Sequence, residues 1–163
     1  MFKQLSATLL LFIALSAQAE VLSGKVVRVA DGDSITVLLS GRQERIRLTA
    51  IDAPESQQAF GRKSRESLAE MVAGKTVMID TNKRDHYQRI VGKVLLDGVD
   101  IGLEQIKRGM AWHYKQYAQE QETEDQSAYA QAEYMAQRDQ LGLWRDTHPI
   151  PPWEFRKLHR SNN

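Results

Sequence analysis

The chain has no cysteine among its 163 residues. That excludes a disulfide framework, a thiol nucleophile, a zinc knuckle and an iron–sulfur site. It has almost no net charge either: 22 Lys and Arg face 21 Asp and Glu, a formal +1. Such a balance argues against a polybasic coat spread over nucleic acid. Long hydrophobic runs are missing beyond one N-terminal stretch, so no segment reaches membrane-spanning length. Any chemistry must therefore come from carboxylates, His, Lys, Arg, Ser/Thr or a hard metal ion. What is present suffices for a globular domain: 42% hydrophobic residues and 26% charged ones exclude a chain disordered throughout.

The one apolar run is an address. Lys3 supplies a positive start, Leu5 to Leu15 an apolar stretch of about ten residues, and Ala17-Gln18-Ala19 an A-x-A cleavage site. We expect a signal peptide over 1–19, cleavage after Ala19, and an exported protein, periplasmic or secreted. No Cys follows, which speaks against lipid attachment. The chain from residue 20 is neutral but unevenly charged. Residues 20–115 hold 16 basic and 13 acidic side chains, net +3, and residues 116–163 hold 5 and 8, net −3.

Along residues 20–146 the pattern predicts five short strands: 21–30, 34–39, 45–51, 75–80 and 87–96. Asp31-Gly32-Asp33 and Ser40 to Gln43 form the first two turns. After Pro54 a helix capped by Ser56 runs to about Ala73, with Phe60, Ser64, Leu68 and Met71/Val72 on one face. Residues 81–86 read as a polar loop. Asp100 caps a short helix to Arg108, with Gly109 after it. A polar stretch, 116–126, precedes a helix to about Leu141, whose small-residue face is Ala128, Ala132 and Met135/Ala136. Gly142 stops it, and Leu143-Trp144 pack back. Residues 147–163 read as a C-terminal tail. Five strands, about three helices and no internal repeat fit a mainly β, α+β fold: a five-stranded OB-fold β-barrel.

The chemistry-bearing residues lie where strands turn. Asp33 ends one turn, while Asp52 and Glu55 flank Pro54 just after Arg47. Three carboxylates at one barrel rim suit a hard cation such as calcium, although no spacing here is an EF-hand. Singly, each has a bland explanation. Asp-Gly-Asp is a common turn, Glu55 suits a helix start, and Arg47 and Arg89 read as surface arginines.

Taken together and in order, these pieces resemble the staphylococcal nuclease (thermonuclease) family. The matching stretches are Val29-Ala30-Asp31-Gly32-Asp33-Ser34, Ile46 to Glu55, Asp85-His86-Tyr87-Gln88-Arg89, Lys107-Arg108-Gly109-Met110-Ala111 and Gly142-Leu143-Trp144. They span about residues 22–146. The resemblance implies a calcium-dependent endonuclease that hydrolyses phosphodiester bonds in DNA and RNA and leaves 3′-phosphate ends. By position, Asp33 and Asp52 would be calcium ligands, with the backbone carbonyl of Ala53 a third. Glu55 would hold the attacking water as general base, and Arg47 and Arg89 would grip the phosphate. Tyr87 and His86 would reach a phosphate. Tyr114 would offer an aromatic face to a base, with Tyr117 beside it. Two departures stand out: Ala53 replaces a residue that often carries a hydroxyl, and Gln88 replaces a frequent glycine. A monomer is the default for a small nuclease.

Two other readings compete. A non-catalytic OB-fold nucleic-acid-binding module has no use for three rim carboxylates, which repel phosphate unless a cation intervenes. An exported calcium-binding structural protein needs the carboxylates but not Arg47 and Arg89.

Overall fold

Alternating burial along short β-branched strands closes a sheet on itself. The computed structural model describes residues 20–160; the expected signal peptide lies outside them. The strands are β1 (Glu20–Val29), β2 (Ser34–Leu39), β3 (Arg42–Leu48), β4 (Ile51–Asp52), β5 (Thr76–Arg84), β6 (Ile90–Leu96), β7 (Val99–Asp100) and β8 (Trp112–His113). The helices are α1 (Gly61–Val72), α2 (Ile101–Lys107), α3 (Thr123–Arg138) and α4 (Pro152–Arg160). The main sheet runs β3-β2-β1-β5-β6-β7, and a parallel pairing of β3 with β6 closes five strands into a barrel. This is the expected OB-type, α+β architecture.

Period-two alternation fills the interior. Ile35 and Val37 point inward from β2, Ile46 and Leu48 from β3, Val77 and Ile79 from β5, and Ile90 and Val94 from β6. Leu68 and Val72 of α1, Ile101 and Ile106 of α2, and Tyr129 and Ala132 of α3 join the same core. Fully burying each large apolar side chain contributes roughly 1.5–3 kcal/mol before entropy is counted. A cluster of Ala136, Leu143 and Trp144 seals the far end of α3, so Leu143-Trp144 pack back as expected.

Several boundaries differ from the sequence pattern. The β2–β3 hairpin turns on Ser40 and Gly41 alone, both left-handed (φ 47° and 82°), so β3 begins at Arg42. That strand ends at Leu48 rather than running to Ile51. Ala50 takes φ 60°, and the chain restarts as β4 against β8. Ser56 caps nothing: α1 begins at Gly61, after a left-handed Phe60. Gly61 is required there, because a Cβ would lie 1.9 Å from the Glu55 carbonyl oxygen. The polar run 81–84 continues β5 instead of looping, with a bulge between Thr81 and Lys83. Tyr87 lies in the β5–β6 turn, not in a strand, and β6 starts at Ile90. A 3-10 turn occupies Lys115–Glu120, and α3 ends at Arg138. The buried face of α3 is Tyr129, Ala132, Glu133 and Ala136, while Met135 is exposed. The segment read as a tail contains α4.

One buried polar side chain ties the helices to the β1–β2 turn. Gln105 of α2 is fully buried, and its Nε2 donates to the carbonyl oxygens of Gly32 (2.8 Å) and Ser64 (3.0 Å). Its Oε1 accepts from Ser67 Oγ at 2.7 Å. Gly32 fits only because it lacks a Cβ, which would meet Ser64 Oγ at 1.8 Å. We expect Gln105→Leu to strand the Gly32 carbonyl and the Ser67 hydroxyl in a dry interior. The expected loss is about 2–4 kcal/mol, read as a lower urea midpoint at unchanged slope; an unchanged midpoint refutes this account of the turn.

Candidate active site

The β1–β2 turn delivers the first carboxylate. Asp31 Oδ1 accepts from the Asp33 amide at 3.0 Å, an Asx turn that points the Asp33 side chain inward. Asp33 Oδ2 accepts from the Ala53 amide at 2.7 Å, and its Oδ1 from Ser34 Oγ at 3.0 Å. The Asp33 carbonyl in turn receives the Leu48 amide at 2.8 Å, locking the turn to the end of β3.

The second carboxylate is fixed by strand pairing. Asp52 lies opposite Trp112 in the β4–β8 pair, and the Tyr114 amide donates to the Ala50 carbonyl just before it. Asp33 and Asp52 are only 6% and 1% exposed. Both face Arg47, whose Nη2 lies 3.2 Å from Asp33 Oδ2 and 3.0 Å from Asp52 Oδ1. Its Nη1 donates to the Leu48 carbonyl at 2.8 Å. Burial pushes the Asp52 carboxyl above the usual range, against the pull of Arg156, Arg47 and their hydrogen bonds. Burial, then the Asp33 charge, pushes Asp31 up to about 6.

Glu55 follows Pro54 in the turn before α1. Its amide donates to Gln58 Oε1 at 3.1 Å, and its carbonyl receives the Gln58 amide at 2.8 Å. Its carboxylate accepts from Arg156 Nη1 at 2.7 Å. The same guanidinium forks onto Asp52, with Nη2 at 2.7 Å from Oδ2 and Nη1 at 3.2 Å from Oδ1. Burial opposes the Arg156 charge, but the hydrogen bonds to Asp52 and Glu55 outweigh it and raise the pKa further.

The second arginine comes from the β5–β6 turn. Parallel pairing sets Arg47 beside Val91, so Arg89, just before β6, reaches the same end of the barrel. Asp85 organises that turn: its Oδ1 accepts from the Tyr87 and Arg89 amides, and its Oδ2 from Arg89 Nε at 2.8 Å. Desolvation works against the Asp85 charge, but those hydrogen bonds win and hold its carboxyl low. Arg89 Nη1 lies 3.4 Å from Ser34 Oγ, and its guanidinium sits 5.6 Å from the Tyr87 ring centre. Gln88, where a glycine would be at ease, is forced to φ 62°. His86 and Tyr87 are exposed side by side.

Asp33, Arg47, Asp52, Ala53, Glu55, His86, Tyr87, Arg89 and Tyr114, drawn from widely separated stretches, line one cavity of about 570 Å³. Tyr114 meets Tyr117 edge-on at 5.1 Å. Among the described residues no three acidic or imidazole side chains stand ready grouped around a metal; the carboxylate oxygens instead face guanidinium nitrogens. Sequence reasoning missed two contributors. Asp85 had a signal, since an Asp four residues before Arg89 in a short turn can both cap the turn and pair with the arginine. Arg156 had none, because 104 residues separate it from Asp52.

Comparison with known proteins agrees with this geometry. The family model described as Staphylococcal nuclease homologue matches residues 45–146. An "Uncharacterized endonuclease" of Haemophilus influenzae is 40% identical over 160 residues, covering 97% of this chain and 86% of that protein. A "Micrococcal nuclease" of Shigella flexneri is 33% identical over 168 residues, covering 98% and 94%. A "Protein ParB" of Escherichia coli is 36% identical over 172 residues, covering 100% and 93%. With a barrel closed around paired carboxylates and arginines, and with relatives that match almost end to end, the chain belongs to the staphylococcal nuclease family and is a nuclease.

Proposed function

We propose that the protein is an exported, calcium-dependent endonuclease that hydrolyses DNA and RNA to 3′-phosphate ends and acts as a monomer. The observation that supports this most is the convergence of Asp33, Asp52 and Glu55 with Arg47 and Arg89 on one cavity. The donor set is all oxygen, and two of its carboxylates are buried. That chemistry suits a hard divalent ion held by Asp33, Asp52 and the Ala53 carbonyl. Calcium, when bound, supplies positive charge beside the phosphate without strongly acidifying water.

The chain's own groups would do the rest. Arg47 and Arg89 would turn guanidinium donors to the phosphate oxygens, where negative charge grows as water attacks phosphorus, Arg47 in exchange for part of its hold on Asp33 and Asp52. That stabilises the transition state more than the ground state. Glu55 holds the attacking water and accepts its proton, and the bond to the 5′ oxygen breaks, leaving phosphate on the 3′ end. Tyr114 and Tyr117 offer aromatic faces to bases, a contact indifferent to sequence and worth about 1–3 kcal/mol per base.

The decisive assay incubates the protein with single-stranded and duplex DNA and with RNA, in calcium or in excess chelator. Cleavage is expected only in calcium, with end-labelling that shows 3′-phosphate. Glu55→Gln should slow turnover by about 10²–10⁴-fold and Arg89→Ala by about 10²–10³-fold. Cleavage that survives chelation, or that both variants retain in full, refutes the mechanism. Asp85→Ala should unfasten Arg89 and lower kcat by up to about a hundredfold, as sub-ångström misplacement does. Asp85→Asn, which keeps an acceptor for the turn amides, should fall between; equal rates for all three deny Asp85 a positioning role. Mass spectrometry of the exported protein should find Glu20 at its N-terminus, and retention of residues 1–19 there argues against cleavage after Ala19.

A further inference from the structure

Helix α4 sends Arg156 into the cavity and packs Trp153 on Tyr114, one of its lining residues. Arg156 bridges Asp52 and Glu55 with three hydrogen bonds of 2.7–3.2 Å. One helical turn earlier, Trp153 stacks on Tyr114, with ring centres 5.3 Å apart and planes at 22°. Its edge also meets Trp112 at 5.7 Å. Gln58, whose Oε1 holds the Glu55 amide, donates through Nε2 to the Ile150 carbonyl just before the helix.

These contacts are made with the groups that a metal ion and a nucleic acid would need. Asp52 Oδ2, buried and bonded to Arg156 at 2.7 Å, would have to exchange the guanidinium for a metal ion. Arg156 holds Glu55 Oε1 at 2.7 Å, and its positive charge weakens that carboxylate as a proton acceptor for a water. The Tyr114 face that would take a base carries an indole. The grip is nevertheless shallow. Pro152 is the only residue of α4 that is buried, and Leu158 is 56% exposed. A short helix attached by side-chain tips opens at small cost compared with a core helix.

We propose, resting on the calcium reading above, that α4 is an internal plug: Arg156 holds the Asp52 carboxylate that calcium would need and the Glu55 carboxylate that would hold the water, and Trp153 stands in for a base on Tyr114, so that calcium and nucleic acid bind by displacing the helix. Such a plug is a built-in competitor. If it is seated in about nine molecules of ten, the apparent calcium affinity falls about tenfold below that of the open site. By linkage, saturating calcium raises the open fraction from about a tenth to nearly the whole population.

The test uses calorimetric titration of calcium together with amide hydrogen exchange across 150–160. Saturating calcium is expected to speed exchange in α4 by up to about tenfold. Arg156→Gln and Trp153→Ala should each tighten calcium binding about tenfold, and Glu154→Gln, a change at an exposed neighbour, should leave it unaltered. The tryptophan variant matters because it loosens the helix without altering charge at the carboxylates. Tighter binding in Arg156→Gln alone, with α4 exchange indifferent to calcium, is a charge effect and overturns the plug. So does unchanged or weaker binding in both variants. Calcium-dependent cleavage by a protein whose α4 stays protected rejects the plug and leaves the nuclease reading standing. Absence of both calcium binding and cleavage in every variant removes the nuclease reading and the plug together.

Discussion

Two carboxylates taken out of water organise this molecule. Asp33 and Asp52 are almost wholly buried within reach of one arginine. Isolated charges in such surroundings would cost several kcal/mol each, so the site is stable only with cations against them. Arg47 meets both, and Arg156 meets Asp52 a second time. Burial nonetheless raises the carboxyls of Asp31 and Asp52 above the usual range.

The barrel serves that cluster by holding its members at fixed positions. Parallel pairing of β3 with β6 brings Arg47 and the turn before β6 to one rim. The short β4–β8 pair, isolated from the main sheet, does nothing for the barrel's closure but fixes Asp52 and leads directly to Tyr114. Behind them Gln105 clamps the Gly32 carbonyl and so orients the turn that ends in Asp33. The buried polar bonds are thus concentrated beneath the site, where an apolar core would have left the turns free to shift.

The charge distribution fits the same scheme. The chain from residue 20 is neutral overall, yet the barrel part is net positive and the C-terminal part net negative. The neutral total rules out a basic coat, and the acids that cancel it include those within the site. In the C-terminal part, Glu120 and Glu133 pair with Lys83 and Lys115. The same part sends one arginine back into the carboxylates.

Much of this was legible in the chain itself. Period-two hydrophobicity and turn residues determined five barrel strands and an α+β fold, since those signals act locally. Asp33, Arg47, Asp52, Glu55 and Arg89 were grouped through the resemblance that their order along the chain carries, since singly each reads as an ordinary turn or surface residue. Local signals failed where tertiary contact overrode them: Thr81 to Arg84 are polar but pair as strand, and Phe60 is turned left-handed so that Gly61 can pass the Glu55 carbonyl. Nothing in the spacing of Gln105 or Arg156 reveals their partners, 73 and 104 residues away. The sequence by itself determined the barrel and the identity of its chemical groups; only the tertiary structure decided that the C-terminal helix lies on them, because a buried carboxylate is matched by whichever cation the fold brings within reach.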